Sequence, residues 1–159
     1  CTFEAGYCRW RNSRDDQFDW QLHSGATLSR YTGPSYDHTF RSHKLKGKYI
    51  YCEASAPQNF NDRARLLSPT IHLSKLCLDF WYHMLGEKMG AINVYLETDA
   101  GLTRLWSRKG NQGGRWQNAM MQISSSTSYK IVLEGVRGPG YSSDMAIDDI
   151  TVYRGRCPD

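Results

Sequence analysis

From Lys48 onward this chain of 159 residues repeats one pattern: short runs in which apolar and polar residues alternate, punctuated by turns. Alternation with period two marks a strand with one buried face, because successive side chains on an extended backbone point to opposite sides. Residues 48–53, 63–67, 77–85, 91–98, 102–107, 115–123, 128–136 and 145–153 read this way. In 77–85 the shared face is Leu78, Phe80, Tyr82 and Met84; in 91–98, Ile92, Val94 and Leu96 oppose Asn93, Tyr95 and Glu97. Residues 86–90, 98–101 and 110–114 supply the turns between them.

Before Lys48 the pattern is sparser. Residues 2–4 make a short strand candidate, 11–16 a polar loop, and 18–22 a strand with Phe18, Trp20 and Leu22 inward. From 24 to 48 there is little periodicity and many breakers, including Gly33-Pro34 and Gly47. That predicts a long surface excursion, a place where function often sits. Strands at this spacing, with no long helical pattern, predict an all-β fold: a two-sheet antiparallel β-sandwich or jelly roll. The length suits a single domain over 1–159.

The last run is the most demanding. By parity Ala146, Asp148, Ile150 and Val152 share one face, apolar apart from one carboxylate, while Ile147, Asp149 and Thr151 share the other. An ionised carboxylate buried without compensation costs several kcal/mol, roughly the penalty for a buried ion. Asp148 therefore requires a cation or a set of donors.

Composition narrows the setting. No apolar run approaches the roughly 18 residues that span a bilayer. No signal-peptide pattern precedes Cys1, as expected for a mature extracellular segment cut from a longer protein. The net charge of +4 is densest at Arg41, His43, Lys44, Lys46 and Lys48, with a smaller group at Arg9, Arg11 and Arg14. Such a patch suits heparan sulfate, acidic headgroups or an acidic protein, unless it is only a solvated loop. No nucleic-acid-binding motif accompanies the charge, so nucleic acid is not an expected partner.

Five scattered cysteines, with no Cys-x-x-Cys pair and no Cys/His cluster at zinc spacing, read as disulfides formed in an oxidising compartment. Spacing alone does not choose among the pairings. Cys1 and Cys8 are the natural local pair, and Cys52, inside Tyr49-Ile50-Tyr51-Cys52, fits a free buried thiol.

Several local motifs occur in a recognisable order. They are Cys1-Thr2-Phe3-Glu4, Asp19-Trp20, Gly33-Pro34 with Asp37-His38-Thr39, Gly47-Lys48-Tyr49 with Glu53-Ala54-Ser55, and Ala64 to Pro69. Cys77 to Met84, Gly90 before Asn93-Val94-Tyr95, Trp116, Tyr129 to Gly135 and Ala146 to Ile150 follow. This ordered set, spanning Cys1 to Cys157, closely resembles a MAM domain, the extracellular module of meprin, receptor protein tyrosine phosphatase mu and neuropilins.

The resemblance implies a two-sheet, jelly-roll-like sandwich used in adhesion and assembly, with bridges Cys1–Cys8 and Cys77–Cys157. The second bridge would close a loop of about 80 residues, worth roughly 4–5 kcal/mol in the chain-entropy model. Cys52 lies outside the usual four-cysteine pattern, and the chain has no Asn-x-Ser/Thr sequon. The resemblance also implies a structural hard cation, calcium in preference to sodium, joining the first and last strands. Its ligands would be Asp148, Glu4 and Asp37, with Asp149 and Asp19 in reserve; calcium takes six to eight oxygens. The alternative is that Asp148 pairs with an arginine or accepts backbone N–H groups, while Glu4 and Asp37 cap turns.

Catalytic signatures are missing: there is no Gly-x-Ser-x-Gly elbow, His-Glu-x-x-His or phosphate-binding glycine loop. Asp37-His38-Thr39 resembles an acid–base constellation, but neighbours on an extended chain face opposite ways. Trp10, Tyr31, Tyr36, Trp81, Trp106 and Trp116 are candidates for stacking on sugar rings, or for ordinary packing. The leading expectation is a non-catalytic extracellular adhesion or assembly module of a larger secreted or membrane-anchored protein. It would bind its own kind or another cell-surface protein. The rival is a carbohydrate- or heparan sulfate-binding sandwich, and a third possibility is an accessory domain of a secreted protease.

Overall fold

The alternating runs fold into two antiparallel five-stranded sheets that form a jelly-roll-like β-sandwich, in a computed structural model that describes residues 1–158. In chain order the strands are β1 (Arg11–Asn12), β2 (Gln21–Ser24), β3 (Lys48–Cys52), β4 (Arg63–Leu67), β5 (Lys75–Met84), β6 (Ala91–Thr98), β7 (Gly101–Lys109), β8 (Gln117–Ser124), β9 (Lys130–Val136) and β10 (Met145–Arg154). One sheet has the order β1-β4-β9-β6-β7, the other β2-β3-β10-β5-β8. Among the described residues no helix is long and apolar enough to cross a membrane.

Parity places the core. Leu76, Leu78, Phe80, Tyr82 and Met84 of β5 meet Ile92, Val94 and Leu96 of β6 and Ile131 and Leu133 of β9 between the sheets. Each such side chain, fully withdrawn from water, contributes about 1.5–3 kcal/mol. Trp20 is fully buried with them and donates its indole N–H to the Ala64 carbonyl at 2.9 Å. Cys1 is joined to Cys8 and Cys77 to Cys157, leaving Cys52 free and buried in this core. A Cβ on Gly135 would come within 2.6 Å of the Cys52 sulfur, so the close approach of β9 to β3 requires glycine there.

Four local expectations are corrected. Residues 2–4 form a turn rather than a strand, with Phe3 buried at φ 61°. The chain start instead reaches the last strand through its own backbone: Ile150 N–H donates to the Cys1 carbonyl at 2.9 Å, and the Cys1 amino group donates to the Ile150 carbonyl. Within 11–16, Arg11 and Asn12 pair with Leu67 and Leu66 as a minimal edge strand. Phe18, Trp20 and Leu22 all pack on the core, but strand pairing begins only at Gln21.

The fourth correction concerns β10. Its register against β5 runs Asp148 opposite Trp81 and then Thr151 opposite Asp79, so one extra residue is inserted. This β-bulge is made at Asp149, whose φ is 49°, and an inserted residue reverses the parity that follows it. Met145, Ile147 and Ile150 therefore enter the core, while Ala146 and Asp148 face outward and Val152 reaches solvent.

A candidate functional site beneath the excursion

The outer face of the β2-β3-β10-β5-β8 sheet is the one residues 25–47 cross. Cross-strand register sets His83, Ala146 and Tyr51 in one row and Trp81 beside Asp148 in the next. Tyr49, Tyr51 and Ala146 are buried there as a second small cluster, with Trp116 packed against it. An irregular segment laid on a sheet must satisfy its own backbone groups. Three buried aspartates, Asp37, Asp144 and Asp148, do much of this.

Asp148 Oδ2 accepts the His38 N–H at 2.9 Å and, more weakly, the Thr39 N–H at 3.4 Å; its Oδ1 accepts the Asp149 N–H at 2.8 Å. Burial and then the Asp149 charge push its carboxyl up to about 8, against the pull of those backbone donors. Asp144 accepts the Ala54 N–H at 2.9 Å and donates its own N–H to Thr32 Oγ1 at 2.9 Å. Burial raises it to about 6, and its Oδ2 is buried without a partner. Asp37 Oδ2 accepts the Phe40 N–H at 3.0 Å, while Oδ1 is likewise unpartnered. The Asp37 carboxylate fits because residue 47 is glycine, whose Cβ would stand 2.2 Å from Asp37 Oδ2.

His38 ties the excursion to the bulge. Its Nδ1 lies 2.5 Å from Asp149 Oδ2, Arg41 donates to its Nε2 at 2.6 Å, and its ring stacks on Trp81 at 3.9 Å. Thr39 Oγ1 donates to Asp149 Oδ1 at 2.6 Å. The acidic partner of His38 is thus Asp149 across the fold, and Asp37, its neighbour in sequence, bonds elsewhere. Nothing local signalled this pair, whose members are 111 residues apart. Asp144 was missed for the same reason.

Of the expected cation ligands, Asp148 lies under the excursion and Asp37 within it. Glu4 approaches from the chain start and accepts the Lys48 N–H through Oε1 at 2.7 Å. Asp19 is exposed and near Asp16 instead. Among the described residues no group of three His, Cys, Asp or Glu side chains is arranged to hold a metal ion. The donors that do lie here are hard oxygens, which suit calcium or sodium in kind. The unpartnered Asp37 Oδ1 and the raised Asp148 are groups that a positive charge would satisfy.

Arg41, His43, Lys44, Lys46 and Lys48 are all exposed. Arg41 bends back over Trp81, 5.5 Å from the ring centre, and His43 meets Tyr36 edge-on at 5.0 Å. Trp81, outward by parity, is therefore half covered by His38 and Arg41.

Several connections expose large apolar side chains. Leu28 and Tyr31, at the tip of the excursion, are 87% and 84% exposed, and Phe60 and Tyr141 on the β3–β4 and β9–β10 connections are 61% and 56% exposed. The tip is fastened: Thr27 Oγ1 donates to the Thr32 carbonyl at 2.9 Å, and Thr32 Oγ1 donates to the Leu85 carbonyl at 2.8 Å. Tyr31 is held at φ 60°, a backbone region most side chains avoid.

Known proteins share this architecture. The family model described as MAM domain, meprin/A5/mu, matches residues 1–158. The MAM domain-containing glycosylphosphatidylinositol anchor protein 2 of Mus musculus is 40% identical over 99% of this chain, which spans 18% of that relative's length. Thyroid hormone-induced protein B of Xenopus laevis is 40% identical over 100% of this chain and 23% of its own length. Among solved structures, a cleaved adhesin domain of Lys-gingipain from Porphyromonas gingivalis superposes with TM-score 0.67 at 14% identity, covering 98% of this chain and 97% of that one. A carbohydrate-binding module in complex with β-1,4-galactotriose superposes with TM-score 0.57 at 18% identity, covering 96% and 94%. At such identities these two likenesses speak for the fold alone.

Proposed function

The chain belongs to the MAM domain family, and from that premise we propose that it is a non-catalytic extracellular adhesion or assembly module. It docks a protein partner, a second copy or another cell-surface protein, through the exposed apolar side chains of the excursion tip. The observation that carries this is the rigidly fastened loop tip presenting Leu28 and Tyr31 almost fully to solvent, flanked by Phe60 and Tyr141. Large apolar side chains held this far into solvent on a fastened loop are the mark of an interaction site. Relatives described as glycosylphosphatidylinositol anchor proteins, together with two disulfides, support an extracellular setting.

Analytical ultracentrifugation and binding to the parent protein's cell-surface partners test this reading on Leu28→Ser/Tyr31→Ser. Loss of association with an unchanged melting temperature is the expected result. Association that survives the double substitution contradicts it.

A structural hard cation, calcium in preference to sodium, belongs to the same proposal. Asp148, Asp37 and Glu4 would hold it, with backbone carbonyls or water completing the shell, and it would stabilise the fold by linkage. The unpartnered Asp37 Oδ1 supports this. Calcium should raise the melting temperature more at pH 8.5 than at pH 6.5, because it competes with the Asp148 proton. The same calcium response in Asp148→Asn would remove that assignment. The exposed 41–48 segment favours heparan sulfate as a second reading, and a heparin column with a salt gradient separates it from protein docking.

A further inference from the structure

Between the excursion and the β5 end of its sheet lies a cavity of about 390 Å³ that the adhesion reading does not use and that the exposed 41–48 segment enters only through Arg41. Tyr36, Trp81 and Trp116 wall it, Arg41 and Arg115 flank it, and His83 lines it. Both arginines are exposed, the three aromatics are half-buried and His83 is 3% exposed. Among the described residues no carboxylate lines the cavity, although Asp144 and Asp148 are buried under the same excursion and Asp37 within it. The cavity is therefore locally cationic and aromatic on a face that is otherwise acidic beneath.

His83 supplies the second observation. Its Nδ1 is buried with no hydrogen-bond partner. A buried polar atom left so costs about 1–3 kcal/mol, which a bound group could recover. Burial keeps the ring neutral, lowered to about 4 with some upward pull from the Gly114 backbone, so it offers a hydrogen-bonding nitrogen rather than a charge. Trp116 is fixed in place by donating its indole N–H to the Tyr36 carbonyl at 2.9 Å, and it meets His83 edge-on at 5.4 Å. The walls are thus preorganised, and the size falls within the range of small-ligand sites.

We propose that this cavity binds a carboxylate-bearing pyranose, a uronic or sialic acid residue of a glycan. The C–H face of the ring packs against the aromatic walls, a hydroxyl meets His83 Nδ1, and the carboxylate lies between Arg41 and Arg115, whose planar guanidinium groups match it. An acidic peptide side chain would use the arginines and leave the aromatic walls and His83 unmatched. The sugar uses all three.

Saturation-transfer and two-dimensional NMR on the 159-residue chain test this, with glucuronic acid and N-acetylneuraminic acid as probes, glucose and galactose as neutral controls, and a short Asp/Glu peptide as competitor. An acidic sugar should bind at millimolar dissociation constant or tighter, shift the Trp116 indole resonance, and exceed its neutral counterparts by about tenfold, or ~1.4 kcal/mol. Arg115→Gln and Arg41→Gln should each weaken it at least fivefold, while Lys109→Gln, exposed on β7 of the opposite sheet, leaves it unchanged. Both arginines are exposed, and amide spectra verify that each variant keeps the fold, including the His38 segment that Arg41 bonds. No binding, equal binding of neutral sugars, tighter binding of the acidic peptide, or acidic-sugar binding indifferent to both arginines overturns the assignment. None of these outcomes bears on association through Leu28 and Tyr31.

Discussion

The two sheets carry buried polar side chains on their outer faces in different ways. On the β1-β4-β9-β6-β7 sheet, Arg65, Glu134, Asn93 and Ser107 form one row across four strands. Arg65 Nε donates to Glu134 at 2.7 Å, Asn93 Nδ2 donates to Glu134 at 3.0 Å, and Ser107 Oγ donates to Asn93 at 2.7 Å. The row satisfies itself, side chain to side chain, with charge matched to charge. On the opposite sheet the buried carboxylates accept backbone N–H groups, Asp148 and Asp37 from the excursion and Asp144 from Ala54 on the β3–β4 connection, and each of Asp37 and Asp144 retains an unpartnered oxygen. The self-contained row stiffens a sheet. The second arrangement fastens a loop, leaves capacity for a ligand or ion, and makes its strength depend on protonation.

That contrast can be broken by substitution. Asp148→Ala leaves the buried His38 N–H and the half-buried Asp149 N–H without an acceptor and should cost about 3 kcal/mol, measured by urea unfolding. Gly47→Ala forces a Cβ onto the Asp37 carboxylate and Phe40, and should cost about 1–3 kcal/mol. It should also speed amide exchange in 37–40 more than elsewhere. Glu134→Gln keeps the shape of the other row and loses only its charge, beside an arginine that is 27% exposed. About 1 kcal/mol is expected there, insensitive to calcium. If Glu134→Gln proves costlier than Asp148→Ala, the distinction between the faces fails.

How much of this the sequence disclosed depended on the range of the contacts involved. Alternation placed Leu78, Phe80, Tyr82 and Met84 inward, and likewise Ile92, Val94 and Leu96, because one residue's neighbours two positions away report its face. Parity along the last strand held as far as Asp148 and then failed, since a bulge at Asp149 carries no mark in the pattern. Arg11 and Asn12 became a strand through a partner 54 or more positions away, invisible to any local rule. Within the site, the need of Asp148 for donors was legible as an apolar face broken by one acid. The donors themselves were not, because they come from the least periodic stretch of the chain. His38 with Asp149, and Asp144 with Thr32 and Ala54, exist only once the excursion has returned to the sheet.

The central claim is that a buried, backbone-bonded Asp148 fastens the excursion. A carboxyl held at about 8 in the folded chain, against an ordinary value of 3.8, binds its proton more tightly folded than unfolded. Its contribution to stability is complete below the unfolded value and is lost as pH rises through about 8. The window from pH 8.5 to 6.5 lies above the values of about 6 for Asp144 and about 4 for His83. In the presence of EDTA, the melting temperature should therefore rise as pH falls from 8.5 to 6.5, and Asp148→Asn should flatten that rise. A parent chain that melts at the same temperature across this window, or an Asp148→Asn chain that keeps the full slope, would contradict the account.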